Sequence, residues 1–162
     1  MARCLIIGCG CRGRSLAREL RRVGHAVRGT TRDPRMRAEI ERAGAEPFLA
    51  DPDRVATVGP ALEHVSVVCL LLGSAVGSPS QLRALHGPRL EMLLARVVDS
   101  PVRGFVYEAN GTVDASALAC GVERVRELCE GARLNYAVLD EEPTQNDRWV
   151  AHAAAAVEGA LR

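Results

Sequence analysis

Lysine is missing from this sequence altogether: all 21 cationic side chains are arginine. That excludes Schiff-base chemistry, a tyrosine activated by a neighbouring lysine, and the phosphate lysine of a Walker-type loop. Aromatic residues are scarce, at 3%. Neither sign of charge is in excess. The net charge is +1 and no block of like charge occurs, so no footprint for nucleic acid is expected. No apolar run is long enough to span a membrane, and no charged-then-apolar leader opens the chain, so a cytoplasmic protein is expected with no membrane partner. The six cysteines include no CxxC pair and the four histidines (His25, His64, His86, His152) are scattered, so no metal site is expected. Cys4 and Cys69 sit in apolar strand patterns and read as small core residues.

What the chain does have is a glycine turn close to its start. The apolar run Leu5 to Ile7 leads into Gly8-Cys9-Gly10-Cys11-Arg12-Gly13, and an amphipathic run with Leu16, Ala17, Leu20 and Val23 on one face follows. The pattern is strand, tight turn, helix. Gly8 permits the turn, Gly10 lets a pyrophosphate approach the backbone, and Gly13 lets the helix pack on the strand. The helix N-terminus offers unpaired N–H groups and partial positive charge to a phosphate. A glycine motif alone is weak evidence, but its place between a strand and a helix is the context that makes it specific. A plain glycine turn without a ligand is the simpler alternative.

The rest alternates. Gly24 ends the first helix and His25 to Thr31 forms a second strand. Asp33 caps and Pro34 opens a helix that runs to Ala43, where Gly44 stops it. Ala45 to Ala50 is a third strand, and Asp51-Pro52-Asp53 caps a third helix ending near Gly59 or Leu62. Val65 to Leu72 is nearly all apolar, as suits a central parallel strand covered on both faces. Gly73 to Ser80 is a loop, and Gln81 to Val98 a helix broken at Gly87-Pro88. Arg103 to Glu108 is a fifth strand, Asn110-Gly111 a turn, and Ser116 to Glu130 a helix stopped by Gly131. Asn135 to Leu139 is a sixth strand, and Asp147 to Leu161 a final helix carrying Trp149. This alternation predicts an α/β fold: a three-layer, doubly wound parallel sheet of Rossmann type with order 3-2-1-4-5-6. With 162 residues and no linker or repeat, residues 1–162 are expected to form one domain, with no room for a second.

The end of strand two chooses the nucleotide. An NAD site wants an acid there, ~20 residues after the glycines, to take the ribose hydroxyls. This sequence has Thr30-Thr31-Arg32. A guanidinium fits a 2′-phosphate, so NADP is favoured, with NAD the alternative, and Arg12 is expected to point to the same region. Solvated surface is the plain alternative for both arginines. The same absence of an acid argues against S-adenosylmethionine. Asp33, one place late, is better explained as a helix cap. Asp51 closes strand three, where a carboxylate reaches an adenine amino group or caps a helix. The expected nucleotide-binding residues are Gly8, Cys9, Gly10, Cys11, Arg12, Gly13, Thr31, Arg32, Asp51, Leu72 and Gly73.

Ile7 to Gly13 and Gly24 to Arg32 together resemble the short-chain dehydrogenase/reductase superfamily, in its extended or atypical NAD(P)-binding branch of NmrA-like and epimerase-like proteins. Gly104 to Tyr107 and Leu134 to Leu139 resemble that branch's fifth and sixth strands. The resemblance implies a Rossmann fold and a nicotinamide cofactor, often NADP. Family enzymes also carry a serine just after strand five and a Tyr-x-x-x-Lys on the next helix. Here Glu108-Ala109-Asn110 follows the strand, and Tyr107 is followed four places on by Gly111. The proton relay therefore does not carry over, and the branch's C-terminal substrate domain is expected to be missing.

Other polar groups fall at the carboxyl ends of the strands, where such sheets bind ligands: Ser74, Glu108, Asn110 and the run Asp140 to Glu142. Glu108 is the one candidate for general acid or base work, if burial holds it near a nicotinamide; a solvated loop carboxylate is the plainer reading. The expected function is a cofactor-binding or redox-sensing module. The alternative is a small NAD(P)H-dependent oxidoreductase that works without the Tyr/Lys pair, since hydride transfer belongs to the cofactor. The final helix with Trp149 is a candidate face for a homodimer or a protein partner.

Overall fold

Leu5 and Ile7 point to one side of β1 (Arg3–Ile7) and Cys4 and Ile6 to the other, and both sides are buried. The same two-sided burial holds in β4 (Val67–Leu70) and β5 (Gly104–Glu108). Strands with no solvated face must lie in the middle of a covered sheet. The computed structural model, which describes residues 1–162, has that arrangement. β2 (Ala26–Thr31), β3 (Glu46–Leu49) and β6 (Asn135–Leu139) complete a six-stranded sheet in the order β3-β2-β1-β4-β5-β6. Every pairing is parallel. The predicted Rossmann-type topology is therefore the observed one.

Helices cover both faces. α1 (Cys11–Arg22), α2 (Arg37–Arg42) and α7 (Asn146–Leu161) pack Leu16, Leu20, Ile40, Trp149 and Val157 against Cys4, Ile6 and Val67. α3 (Val55–Val58), α4 (Pro79–Leu85), α5 (Pro88–Val98) and α6 (Ala115–Ala132) bury Val58, Leu85, Leu94 and Val125 against Leu5, Ile7, Val68 and Phe105. No helix is long and apolar enough to cross a membrane.

Element ends differ from the sequence expectations for local reasons. α4 begins at Pro79, ahead of Gln81, because Ser78 and Gln81 form a reciprocal capping box. The break at Gly87-Pro88 is present, with Pro88 opening α5. The expected helix after Asp33 is split into a 3-10 turn, Pro34–Met36, and α2; Asp33 accepts the Arg35 N–H at 2.9 Å, as a cap should. α6 runs through Gly131. Its end is made instead by Arg133, in the left-handed region at φ 58°, and the Leu134 N–H returns to the Cys129 carbonyl at 2.8 Å.

Trp149 is fully buried against the sheet, so this side chain is not on the outer face of the last helix. The buried polar residues are mostly ties between elements. His25 accepts the Ala2 N–H at 3.1 Å and holds Glu158 at 2.6 Å. Arg28 donates to the Ala61 and Glu63 carbonyls at 2.7 and 3.0 Å. His86 bridges Tyr107 Oη (2.6 Å) and the Leu72 carbonyl (3.0 Å). Only an N–H can bond a carbonyl, so Nε2 of His86 carries the proton and Nδ1 accepts from the tyrosine. Burial lowers the His86 pKa, partly opposed by the Leu72 carbonyl, and burial raises that of Tyr107 well above the phenol range.

Candidate functional site

The glycine turn stands at the carboxyl edge of the sheet, where β1 gives way to α1. Gly8 has φ 85°, and a Cβ there would lie 2.5 Å from the Leu71 carbonyl oxygen. The Gly8 position is thus closed to other residues both by conformation and by space. Gly13 packs against β1, since a Cβ there would sit 3.1 Å from the Gly8 oxygen and 3.2 Å from Ile6 Cγ2. Gly10 is different: a Cβ would meet nothing within 4 Å. Its missing side chain leaves open space rather than room for the protein's own packing.

Thr30 holds the turn in place. Its carbonyl accepts the Cys9 N–H at 3.1 Å and its hydroxyl the Gly8 N–H at 3.4 Å. Cys9 turns its thiol inward against Gly29, where any Cβ would be 2.7 Å from the sulfur. Burial pushes that thiol up to about 11, so Cys9 is an inert packing residue whose backbone alone faces the turn. Gly10 is the N-cap of α1, and the first intrahelical bond is from the Arg14 N–H to the Gly10 carbonyl at 2.9 Å. The N–H groups of Cys11, Arg12 and Gly13 therefore have no backbone partner, no side chain caps them, and no acid lies in the first turn. Such an end is an anion site in waiting.

A cleft of about 420 Å³ opens over these amides. The structure brings Gly8, Cys9, Gly10, Cys11, Arg12, Gly13, Thr31, Arg32 and Leu72 together along it. Arg32 is exposed at the rim and unpaired, because the neighbouring Asp33 is taken by Arg35 at 2.9 Å. Three expected residues are not on the cleft wall. Asp51 accepts the Asp53 N–H at 2.9 Å in an Asx turn, while Arg54 is the N-cap of α3, so Asp53 rather than Asp51 reaches the cleft. Gly73 lies behind it, its N–H donated to Glu108 at 2.8 Å. Glu108 is fully buried and is not the solvated carboxylate of the plainer sequence reading.

Arg12 also departs from expectation. Its guanidinium does not serve the region of Arg32. Nε and Nη2 meet the Glu108 carboxylate at 2.9–3.2 Å, and Nη2 reaches Ser74 Oγ at 3.3 Å. The guanidinium carbon lies 5.5 Å from the centre of the Trp149 ring. With Arg12 as ion partner and the Gly73 N–H as donor, Glu108 ties α1, the loop after β4 and β5 together.

Sequence reasoning missed the far wall of the cleft. Met36, Ala75, Val76, Leu82 and Leu85 supply its apolar surface. The Ser78-x-x-Gln81 capping pattern was the available signal, because it places the start of α4 beside the loop that follows β4.

No protein-family model and no curated protein matches the sequence. Solved structures do match in fold. A short-chain dehydrogenase/reductase superfamily protein from Agrobacterium tumefaciens, solved with bound NAD, aligns at TM-score 0.69 and 20% identity over 84% of this chain and 48% of that one. UDP-glucose 4-epimerase from Thermotoga maritima, solved with UDP-glucose, aligns at TM-score 0.70 and 14% identity over 84% and 54%. Vestitone reductase from alfalfa aligns at 0.65 and 16% over 85% and 56%. The chain spans about half the length of these structures. Its fold is the Rossmann-type fold that these structures share.

Proposed function

We propose that residues 1–162 form an NADP(H)-binding domain that works as a cofactor-binding module without the Tyr-x-x-x-Lys proton relay. The observation that carries this reading is the set of three unpartnered amides, Cys11, Arg12 and Gly13, facing a cleft at a position where Gly10 keeps the approach open. Those amides would hold the pyrophosphate, as P-loop and Rossmann turns do. Arg32 at the end of β2 would take the 2′-phosphate, and Thr31 the ribose beside it. Asp53, Met36 and Leu82 would bound the adenine.

The nicotinamide ring, when bound, accepts or donates hydride. What this chain adds around it argues for binding rather than turnover. No lysine exists, and Glu108, the carboxylate best placed by the sequence for acid–base work, is held by Arg12 and Gly73. Thermal unfolding in the presence of NADPH, NADH and S-adenosylmethionine tests the reading. A ligand that binds only the native state raises the melting temperature by mass action. NADPH is expected to raise it most; no shift with either nicotinamide nucleotide refutes the proposal.

A further inference from the structure

We propose, resting on the nucleotide reading above, that this site grips only the 2′-phospho-ADP half of the dinucleotide and leaves the nicotinamide in water. In a 3-2-1-4-5-6 sheet a dinucleotide straddles the switch point, one half over β1 to β3 and the other over β4 to β6. The cleft here is one-sided. Its walls come from the ends of β1, β2, β3 and β4 and from α4, and no residue after β5 or β6 contributes. At about 420 Å³ it lies toward the small end of ligand pockets.

The second half of the crevice is filled by the protein's own loops. The loop after β5 is stitched to the loop after β4, with the Val113 N–H on the Gly73 carbonyl at 3.0 Å and the Thr112 N–H on Ser74 Oγ at 3.2 Å. It is stitched to the loop after β6 through Asn110 Nδ2 and the Asp140 carbonyl at 3.0 Å. The packing is backbone on backbone: a Cβ at Gly111 would fall 2.1 Å from the Gly73 oxygen. At the border of the two halves stands Arg12, held by Glu108 and Ser74 over Trp149. A nicotinamide ring placed there would have to displace a guanidinium from a fully buried carboxylate, which leaves that carboxylate short of its charge partner.

Oxidised and reduced nucleotides differ only in the ring that this site does not hold. Occupancy then follows the size of the nucleotide pool, not its redox ratio, and the redox-sensing role open to the sequence gives way to a pool-sensing one.

Isothermal titration of the full chain with NADPH, NADP and 2′-phospho-ADP-ribose, which lacks only the nicotinamide ring, tests this. The three dissociation constants are expected to agree within about threefold. A gain of more than about tenfold for either complete dinucleotide over 2′-phospho-ADP-ribose overturns the inference and leaves the nicotinamide-nucleotide reading standing. Binding of none of the three overturns that reading and this one with it. NADPH fluorescence gives an independent readout. A ring left in water keeps the emission of free NADPH on binding, whereas a blue-shifted, enhanced emission shows the ring enclosed and refutes the proposal.

Discussion

Arg12 and Glu108, 96 residues apart in the chain, form a two-pronged ion pair at the junction of α1 and β5. The two partners are unequal. Glu108 has no solvent exposure, whereas the Arg12 side chain keeps 24% of its own. Water can therefore reach the cation if it is left alone, but not the anion. Removing the cation is the more damaging change, because the Gly73 N–H is then the only remaining donor to a buried charge.

Arg12→Met is accordingly expected to destabilise the fold by about 3–5 kcal/mol, the usual cost of leaving half of a buried pair. Glu108→Gln keeps an oxygen for the Gly73 N–H and should cost less, about 1–3 kcal/mol. Urea unfolding of both variants and of the double variant checks the order. Equal costs, or a double variant no better than the sum of the singles, would mean the pair is not coupled as described.

Gly10→Ala separates folding from binding. Its Cβ meets no protein atom within 4 Å, so unfolding stability should change by about 1 kcal/mol or less. NADPH affinity should nevertheless fall by about tenfold or more, because the methyl group lies where the pyrophosphate must approach the backbone. Gly8→Ala should behave in the opposite sense, losing stability first, since it combines φ 85° with a 2.5 Å contact to the Leu71 oxygen. Denaturation and titration on the same samples check both.

Arg32→Asp should lower the NADPH affinity by about tenfold, the value of one charged contact, and swing selectivity toward NADH. An aspartate at this place accepts ribose hydroxyls and repels a 2′-phosphate. The ratio of the two dissociation constants is the measurement. An unchanged ratio removes Arg32 from the site.

His86 makes stability depend on pH. Burial lowers its folded pKa below the ordinary 6.5, so the unfolded chain binds the proton more readily. The contribution is complete above 6.5 and declines as pH falls below it, toward the folded value. Protonation would also put a donor where Nδ1 now accepts from Tyr107. Unfolding free energy measured between pH 7.5 and about pH 5 should therefore decline toward acid, and His86→Gln should flatten that slope while lowering the value at neutral pH. Equal slopes in the two proteins would show that another group is responsible.

Much of this molecule is legible in its sequence. Strand order followed from six alternations of apolar strand and helix, because a parallel strand covered on both faces has to be apolar throughout and its crossovers have one hand. Gly8, Gly10 and Gly13 could be assigned separate tasks because φ, backbone approach and helix packing are local demands of a short turn. Local rules also misled. Gly131 looked like a helix stop, yet the helix passes through it and ends at Arg133, since glycine at a helix end is a preference and the surrounding packing decides.

What remained hidden was everything that depends on residues far apart in the chain. The primary structure by itself determined the layered sheet, the glycine turn and the arginine at the end of β2, because each is a short-range pattern with a short-range cause. Tertiary packing alone decided that Arg12 faces Glu108 rather than the cleft's rim, that Trp149 lies beneath that pair, and that the loop after β5 bonds the loop after β4. Those outcomes turn on which of several cations reaches a buried carboxylate and which loop satisfies the amides of another, a competition in space that no spacing along a chain records.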